Sequence, residues 1–239
     1  MTITAHAIPI LSDNYSWLLT DSSGAVAIVD PADAKPCIAA IEAAGGRLDM
    51  ILITHHHPDH INGVDEVRAK YRCPVVGARA DAHRLPRLDQ AVAEGDTVLL
   101  GDTALKVIDT PGHTVGHIAY EGGGVLLSGD TLFSLGCGRL MEGTAADMFA
   151  SLQKFAALPG DTLVCCGHEY TQANARFAVH VDPHNIALRD RAAEVDRLRA
   201  AGQATVPTHL SLELETNPFL RTPDAATLGK LRAEKDGFR

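Results

Sequence analysis

The sequence predicts a layered α/β domain followed by a smaller all-helical one, and three observations lead there. Short β-rich runs bounded by turn residues fill the first two thirds of the 239 residues. Helix-period stretches lie between several of these runs, as layered α/β architecture requires. From about Thr171 the strand signals fade while helical ones continue, which sets a boundary near 170 and gives domains over 1–170 and 171–239.

Taken in order, "AVAIVDP" (25–31) and "DMILITH" (49–55) read as buried strands, with a helical pattern over 34–45 between them. A second series follows in "DTVLL" (96–100), "ALKVIDTPG" (104–112), "GHIAY" (116–120) and "GVLLSGD" (124–130). A helix over 147–157, with Thr144 or Asp147 as its cap, leads into "DTLVCCGH" (161–168). Beyond that, "TQANARFAVHVDPHNIALRDRAAEVDRLRAAG" holds two helices separated at Pro183, and Gly202 stops the second. No repeat of 20–50 residues and no low-complexity tract is visible.

Composition excludes several classes of function. A net charge of −9 provides no global positive field to attract phosphates, so neither nucleic acid nor an anionic membrane is an expected partner. The five cysteines, Cys37, Cys73, Cys137, Cys165 and Cys166, are odd in number and irregularly spaced, which fits a reducing, cytoplasmic setting. The start "MTITAHAIPI" lacks the basic and apolar regions of a signal peptide, and no apolar run reaches the roughly 18 residues of a membrane span. The chain is expected to be soluble and monomeric.

Chemistry concentrates in "MILITHHHPDHINGV" (50–64), where four imidazoles and a carboxylate follow a buried strand within six residues. Along an extended chain His55 and His57 point the same way and His56 the other, so His56 is read as a buried, hydrogen-bonded structural histidine, and His117 likewise. Pro58 forces a turn, placing Asp59 and His60 where the chain enters a helix expected near Asn62. Such a corner lets neighbours fan out towards two centres about 3.5 Å apart. His113 in "DTPGHTVGH", Asp130 in "LLSGDTLF" and His168 in "VCCGHEY" lie at the ends of later strands. The pooled five His and two Asp suffice for two ions sharing one bridging carboxylate. Asp30 in "IVDP" is either a turn former before Pro31 or a hydrogen-bond support for a ligand histidine.

THHHPDH, GHTVGH, SGDTLF and CGHEYT together resemble the metallo-β-lactamase superfamily, and within it the glyoxalase II (hydroxyacylglutathione hydrolase) family. The likeness runs from "LSDNYSWLL" to "LRAEKDGF". It implies an αββα sandwich with a helical C-terminal domain. It assigns His55, His57 and His113 to one metal ion, Asp59, His60 and His168 to another, and Asp130 to both. N and O ligands without thiolate suit zinc foremost, with iron or manganese as alternatives. The implied activity is hydrolysis of S-(2-hydroxyacyl)glutathione, S-D-lactoylglutathione in particular, to glutathione and D-lactate, the second step of methylglyoxal detoxification. Asp59 and Asp130 orient the nucleophile. Cys137, between two glycines, is read as structural rather than nucleophilic.

An acidic protein needs a local basic patch to hold glutathione. Residues 221–239 carry five basic and three acidic side chains, net +2. By itself this is an ordinary solvated helix end. The resemblance assigns glutathione contacts to Arg232 and Lys235 of "LRAEKDGF", to Arg139 of "GCGRLMEGT" and to Tyr170 of "GHEYT". Two departures bear on affinity and acyl preference: Met141 stands at a position often aromatic in the family, and the stretch between "NPFLR" and "LRAEKD" is short. The alternatives are a glutathione-persulfide sulfur dioxygenase of the same fold, against which both C-terminal segments argue, a hydrolase of lactams, lactones or phosphodiesters, the last of which would call for a basic surface, and a zinc-stabilised binding module. Structural zinc sites are closed four-ligand sets rich in Cys, unlike this one.

Overall fold

A computed structural model describes residues 2–238. The chain divides into two compact units: residues 1–109 with 116–129, and residues 110–115 with 130–239. The first unit holds β1 (Ile3–Ile10), β2 (Asn14–Asp21), β3 (Val26–Val29), α1 (Ala34–Ala43), β4 (Met50–Leu52), α2 (Pro58–Ile61), α3 (Val64–Tyr71), β5 (Val75–Ala78), β6 (Gln90–Val92), β7 (Thr97–Leu100), β8 (Thr103–Asp109), β9 (Ile118–Gly122) and β10 (Val125–Gly129).

One six-stranded sheet runs β1 to β6 in sequence order. Its first three strands pair antiparallel, whereas β3, β4, β5 and β6 are parallel. The parallel centre explains the unbroken apolar run before His55: Ile51, Leu52 and Ile53 are all fully buried, as strands covered on both faces must be. Each such side chain contributes roughly 1.5–3 kcal/mol of burial. Helix α1, capped by Asp33 accepting from the Lys35 N–H, packs on β1 and β2 and against α3. Strands β7 to β10 form an antiparallel ladder. From β9 the buried Tyr120 hydroxyl donates to the Ile53 carbonyl (3.0 Å), tying the ladder to the end of β4.

The β1–β2 hairpin is absent from the strands read off the sequence. Strand β1 is an edge with a half-exposed pattern and a proline. Strand β2 buries polar residues that mute its apolar signal, each with a partner, as when Ser16 Oγ donates to the Val29 carbonyl (2.7 Å).

The second unit holds β11 (Leu132–Phe133), β12 (Gly136–Cys137), α4 (Ala145–Ala156), β13 (Leu163–Cys166), α5 (Thr171–Val181), α6 (Ile186–Ala200), β14 (Thr208–His209), α7 (Leu210–Thr216) and α8 (Ala225–Gly237). Thr144 and Asp147 form a reciprocal capping box on α4, so both candidate caps take part. Helices α5 and α6 part around Pro183, and Gly202 follows α6 at φ +69°. After residue 170 the only strand among the described residues is the two-residue β14, paired with β13. The seam between the compact units does not follow the change in composition near 170, because residues 130–169 group with the C-terminal helices. Among the described residues no helix is long and apolar enough to cross a membrane.

Candidate metal centre

In the first unit Asp30 organises the corner after β4. It follows β3 at φ +49°, a left-handed conformation that Asp tolerates, with its N–H bonded to the Leu52 carbonyl (3.0 Å). Its buried carboxylate accepts the Thr54 N–H (2.8 Å) and Thr54 Oγ1 (2.6 Å) and lies 2.9 Å from His60 Nδ1. Since Thr54 Oγ1 donates to Asp30, it accepts from His55 Nδ1 at 3.0 Å. The network therefore assigns the ring protons of His55 and His60 to Nδ1 and leaves both Nε2 atoms as lone-pair donors.

His55 is fully buried, and its Nε2 lies 3.1 Å from His57 Nδ1. Asp59 is held by Asn14, whose Nδ2 donates to Asp59 Oδ2 (3.0 Å) and to its carbonyl (3.1 Å). The same Oδ2 stands 3.8 Å from His60 Nε2. Asp30, His55 and His60 also bring one donor atom each within 4.8 Å of one another. The three donors already bonded to Asp30 make it the orienter of this group rather than a ligand.

The helix expected near Asn62 begins at Val64, as α3, but Asp59 and His60 already lie in a separate turn before it. Pro58 takes the first position of the one-turn helix α2, where its fixed φ suits a helix start, and both residues lie inside that turn. His56 is hydrogen-bonded as expected but only partly buried: it turns to the buried Asp81 (Nδ1 to Oδ2, 3.1 Å), which Arg84 also bonds. His117 is buried with its ring stacked on that of His55 at 4.7 Å. Gly129, at φ +49°, backs onto His117 and Thr54, since a Cβ there would lie 2.6 Å from His117 Nε2 and 2.7 Å from Thr54 Oγ1.

In the second unit Asp130 lies between two imidazoles. Its Oδ2 is 3.5 Å from His113 Nε2 and 3.3 Å from His168 Nε2, and all three residues are buried. His113 Nδ1 donates to the Arg139 carbonyl (2.9 Å), which turns Nε2 towards Asp130. The His168 ring stacks flat on Tyr170 (4.5 Å, 8°).

The predicted glutathione contacts also fall in this unit. Arg139 is extended into solvent at 72% side-chain exposure, with Nε 3.8 Å from Asp236. Arg232 is buried. It donates to the Cys137 carbonyl (2.8 Å) and to Asp236 (2.9 Å), and its guanidinium lies over Phe219. Lys235 donates to the Ala173 carbonyl (2.8 Å) above the Phe177 ring, and burial, with Arg232 and Arg139 nearby, lowers its pKa to about 8. Met141 is 62% exposed. The Cys137 thiol is pushed up to about 11 by burial, so it stays protonated at neutral pH.

Sequence reasoning passed over Asn14, Thr54 and the Arg139 carbonyl. Asn14 and Thr54 left a faint signal as polar residues in or beside buried strands; a main-chain carbonyl leaves none.

The model of the metallo-β-lactamase superfamily matches residues 11–168, and that of the hydroxyacylglutathione hydrolase C-terminus matches 169–238. A hydroxyacylglutathione hydrolase of Acidiphilium cryptum is 57% identical over 236 residues, 98% of this chain and 97% of that one. One from Ruegeria pomeroyi is 50% identical over the full length of both. Among solved structures, ETHE1 from Myxococcus xanthus has a TM-score of 0.74 at 23% identity, covering 98% of this chain and 90% of that one. The di-iron-bound form of TTHA1623 gives 0.65 at 24%, covering 90% and 99%. At these identities the likeness is one of fold, and it agrees with the α/β sandwich and helical C-terminus expected from the sequence.

Proposed function

Because the chain belongs to the metallo-β-lactamase superfamily, and within it to the hydroxyacylglutathione hydrolases, we propose that its thioester substrate is S-D-lactoylglutathione, cleaved to glutathione and D-lactate. The observation that carries this reading is the identity of 50–57% with hydroxyacylglutathione hydrolases along the whole chain, the C-terminal segment included. The same reading makes the chain the second enzyme of methylglyoxal detoxification, cytoplasmic and monomeric. Five free, buried cysteines support the reducing compartment.

The donor set fits two divalent ions. His55, His60 and His113 each have Nδ1 engaged by a protein oxygen, the arrangement that fixes a ligand imidazole through its far nitrogen. We assign one ion to His55, His57 and His113, the other to Asp59, His60 and His168, and a bridging role to Asp130. An all-N/O set favours zinc, with iron and manganese as alternatives. Bound there, the pair supplies Lewis acidity towards the thioester carbonyl and lowers the pKa of coordinated water from 15.7 towards 7.

The chain's own residues then do the positioning. Asn14 holds Asp59, and Asp59 and Asp130 would serve as ligands that position the water rather than as free acid or base. Arg139, Tyr170, Arg232 and Lys235 hold the glutathione moiety. The departing thiol, with a pKa near 8.5, leaves as thiolate without a dedicated protein acid. Cys137, protonated at neutral pH, is no competing nucleophile. An anaerobic assay of S-D-lactoylglutathione, following thiol release and counting metal per chain on the same sample, tests the reading. Turnover without oxygen at two metal equivalents supports it. Activity that requires oxygen would point instead to the dioxygenase alternative.

A further inference from the structure

Glu213 takes no part in the chemistry above, yet its side-chain hydrogen bonds converge on one tight turn. Strands β11 and β12 pair through Leu132–Cys137 and Phe133–Gly136, leaving Ser134 and Leu135 as the loop. Two-residue hairpin loops favour Gly, Asn or Asp, and this one has none. Leu135 stands at φ +57°, a conformation that a leucine keeps only where its surroundings over-determine it.

Those surroundings come from the C-terminal helices. Glu213, on α7, accepts the Leu135 N–H (2.7 Å) and Ser134 Oγ (2.9 Å). Asn217 Nδ2 donates to the carbonyls of Phe133 (3.1 Å) and Gly136 (3.0 Å) and to Glu213 (3.1 Å). Asn174 on α5 holds the Ser134 carbonyl (3.1 Å), and a Cβ at Gly136 would lie 2.4 Å from its Nδ2. Glu213, Ser134, Leu135 and Asn217 are each 0% exposed, so a lost bond leaves its partner away from bulk solvent. The flanks of the turn reach the predicted substrate contacts. The Phe133 ring stands edge-on to Tyr170 (5.4 Å), and the Cys137 carbonyl accepts Arg232 Nη1 (2.8 Å).

We infer that Glu213 is a positioning residue for glutathione recognition, acting through the 133–136 turn to set Phe133 against Tyr170 and the Cys137 carbonyl against Arg232. The inference rests on the reading of Tyr170 and Arg232 as glutathione contacts. It predicts a larger effect on binding than on chemistry: the Phe133 ring also stands edge-on to His168 (5.9 Å), but Asp130 lies before β11, and its neighbour Thr131 is bonded through Oγ1 to the Thr110 carbonyl (3.3 Å), away from Glu213.

The test uses Glu213→Gln and Glu213→Met in the metal-loaded full chain, with S-D-lactoylglutathione turnover, metal per chain, and S-hexylglutathione affinity by calorimetry. Gln can accept from Leu135 and Asn217 while donating to Ser134, so it should stay within about twofold of wild type, whereas Met should raise KM and Kd roughly tenfold with kcat and metal content little changed. If Glu213→Met does not fold, Ser134→Ala removes a single bond and should show the same split at about two- to threefold. A lowered melting temperature with KM and Kd unchanged, or a fall in kcat and metal with KM unchanged, would overturn the inference. A wild-type chain that binds S-hexylglutathione but does not turn over the thioester would sink the hydrolase reading, leaving the affinities to decide the role of Glu213. A chain that does neither overturns both.

Discussion

The two units reach similar chemistry by opposite routes. In the first, Thr54 to His60 supply nearly every candidate ligand from seven consecutive residues, set by a buried strand, one proline and Asp30. In the second, His113, Asp130 and His168 come from separate segments, and the proposed substrate contacts are spread from Arg139 to Lys235. A contiguous corner depends on local geometry and little else. A dispersed site depends on whatever holds its segments, which here is buried polar bonding to main chain: Arg139 carbonyl to His113, Cys137 carbonyl to Arg232, Glu213 to the Leu135 N–H. The second unit should accordingly be the more sensitive to changes far from its ligands in sequence.

The largest expected effect falls on the carboxylate shared by two imidazoles. Asp130→Ala should lower kcat for the thioester by roughly 10²–10³-fold or more and reduce bound metal, measured by elemental analysis alongside turnover. Unchanged turnover would sink the bridging role.

Next comes the support of the first unit's corner. Asp30→Asn keeps the left-handed backbone but withdraws the charge behind His60 Nδ1 and Thr54. Metal affinity or activity should fall about 10–100-fold, as for other residues that orient a ligand imidazole. His56→Ala is the matched control: its partner is Asp81, so metal content should hold while stability drops by about 1 kcal/mol in a denaturant titration. Equal loss of metal in both variants would show that the corner does not sort its histidines as described.

How much of this was legible follows from the same contrast. The corner could be read as a candidate site because its potential ligands fall within six residues after an unmistakable apolar strand. Asp30 was half legible, since an Asp before Pro31 suits a turn as well as a support, and only its φ of +49° and three donors separate the two. Asn14 lies on an edge hairpin whose alternation is too weak to declare a strand. In "LELETNPFL" nothing but the i, i+4 spacing of Glu213 and Asn217 hints that two polar residues share a fully buried face. The helical C-terminus was legible from periodicity, but the grouping of residues 130–169 with it was not, because composition records segments and not contacts.

Arg232→Ala should act on both binding and folding. It removes a proposed carboxylate contact and leaves the buried Cys137 carbonyl without its donor, so KM should rise about tenfold and stability fall by about 1–3 kcal/mol. Arg232→Lys should recover little, because an ammonium cannot serve Cys137 and Asp236 with one rigid fork. Full recovery by Lys would reduce the role of this residue to charge alone.

The smallest effect is a slope rather than a loss. Burial, with Arg232 and Arg139 close by, brings Lys235 down to about 8, so its ammonium is present below that pH and lost above it. If it holds a glutathione carboxylate, KM should be flat below about pH 7 and rise through pH 8–9, about 5–10-fold across that span if only the protonated form binds. Throughout, kcat should be unaffected. The substrate's own amino group titrates nearby, so the comparison that isolates Lys235 is Lys235→Arg, which stays charged across the range. Its KM should lack the rise seen in wild type, while Lys235→Ala should be uniformly high. Superimposable profiles for wild type and Lys235→Arg would mean that the depressed lysine lies outside the substrate's reach, leaving Arg139 and Arg232 as the cationic contacts.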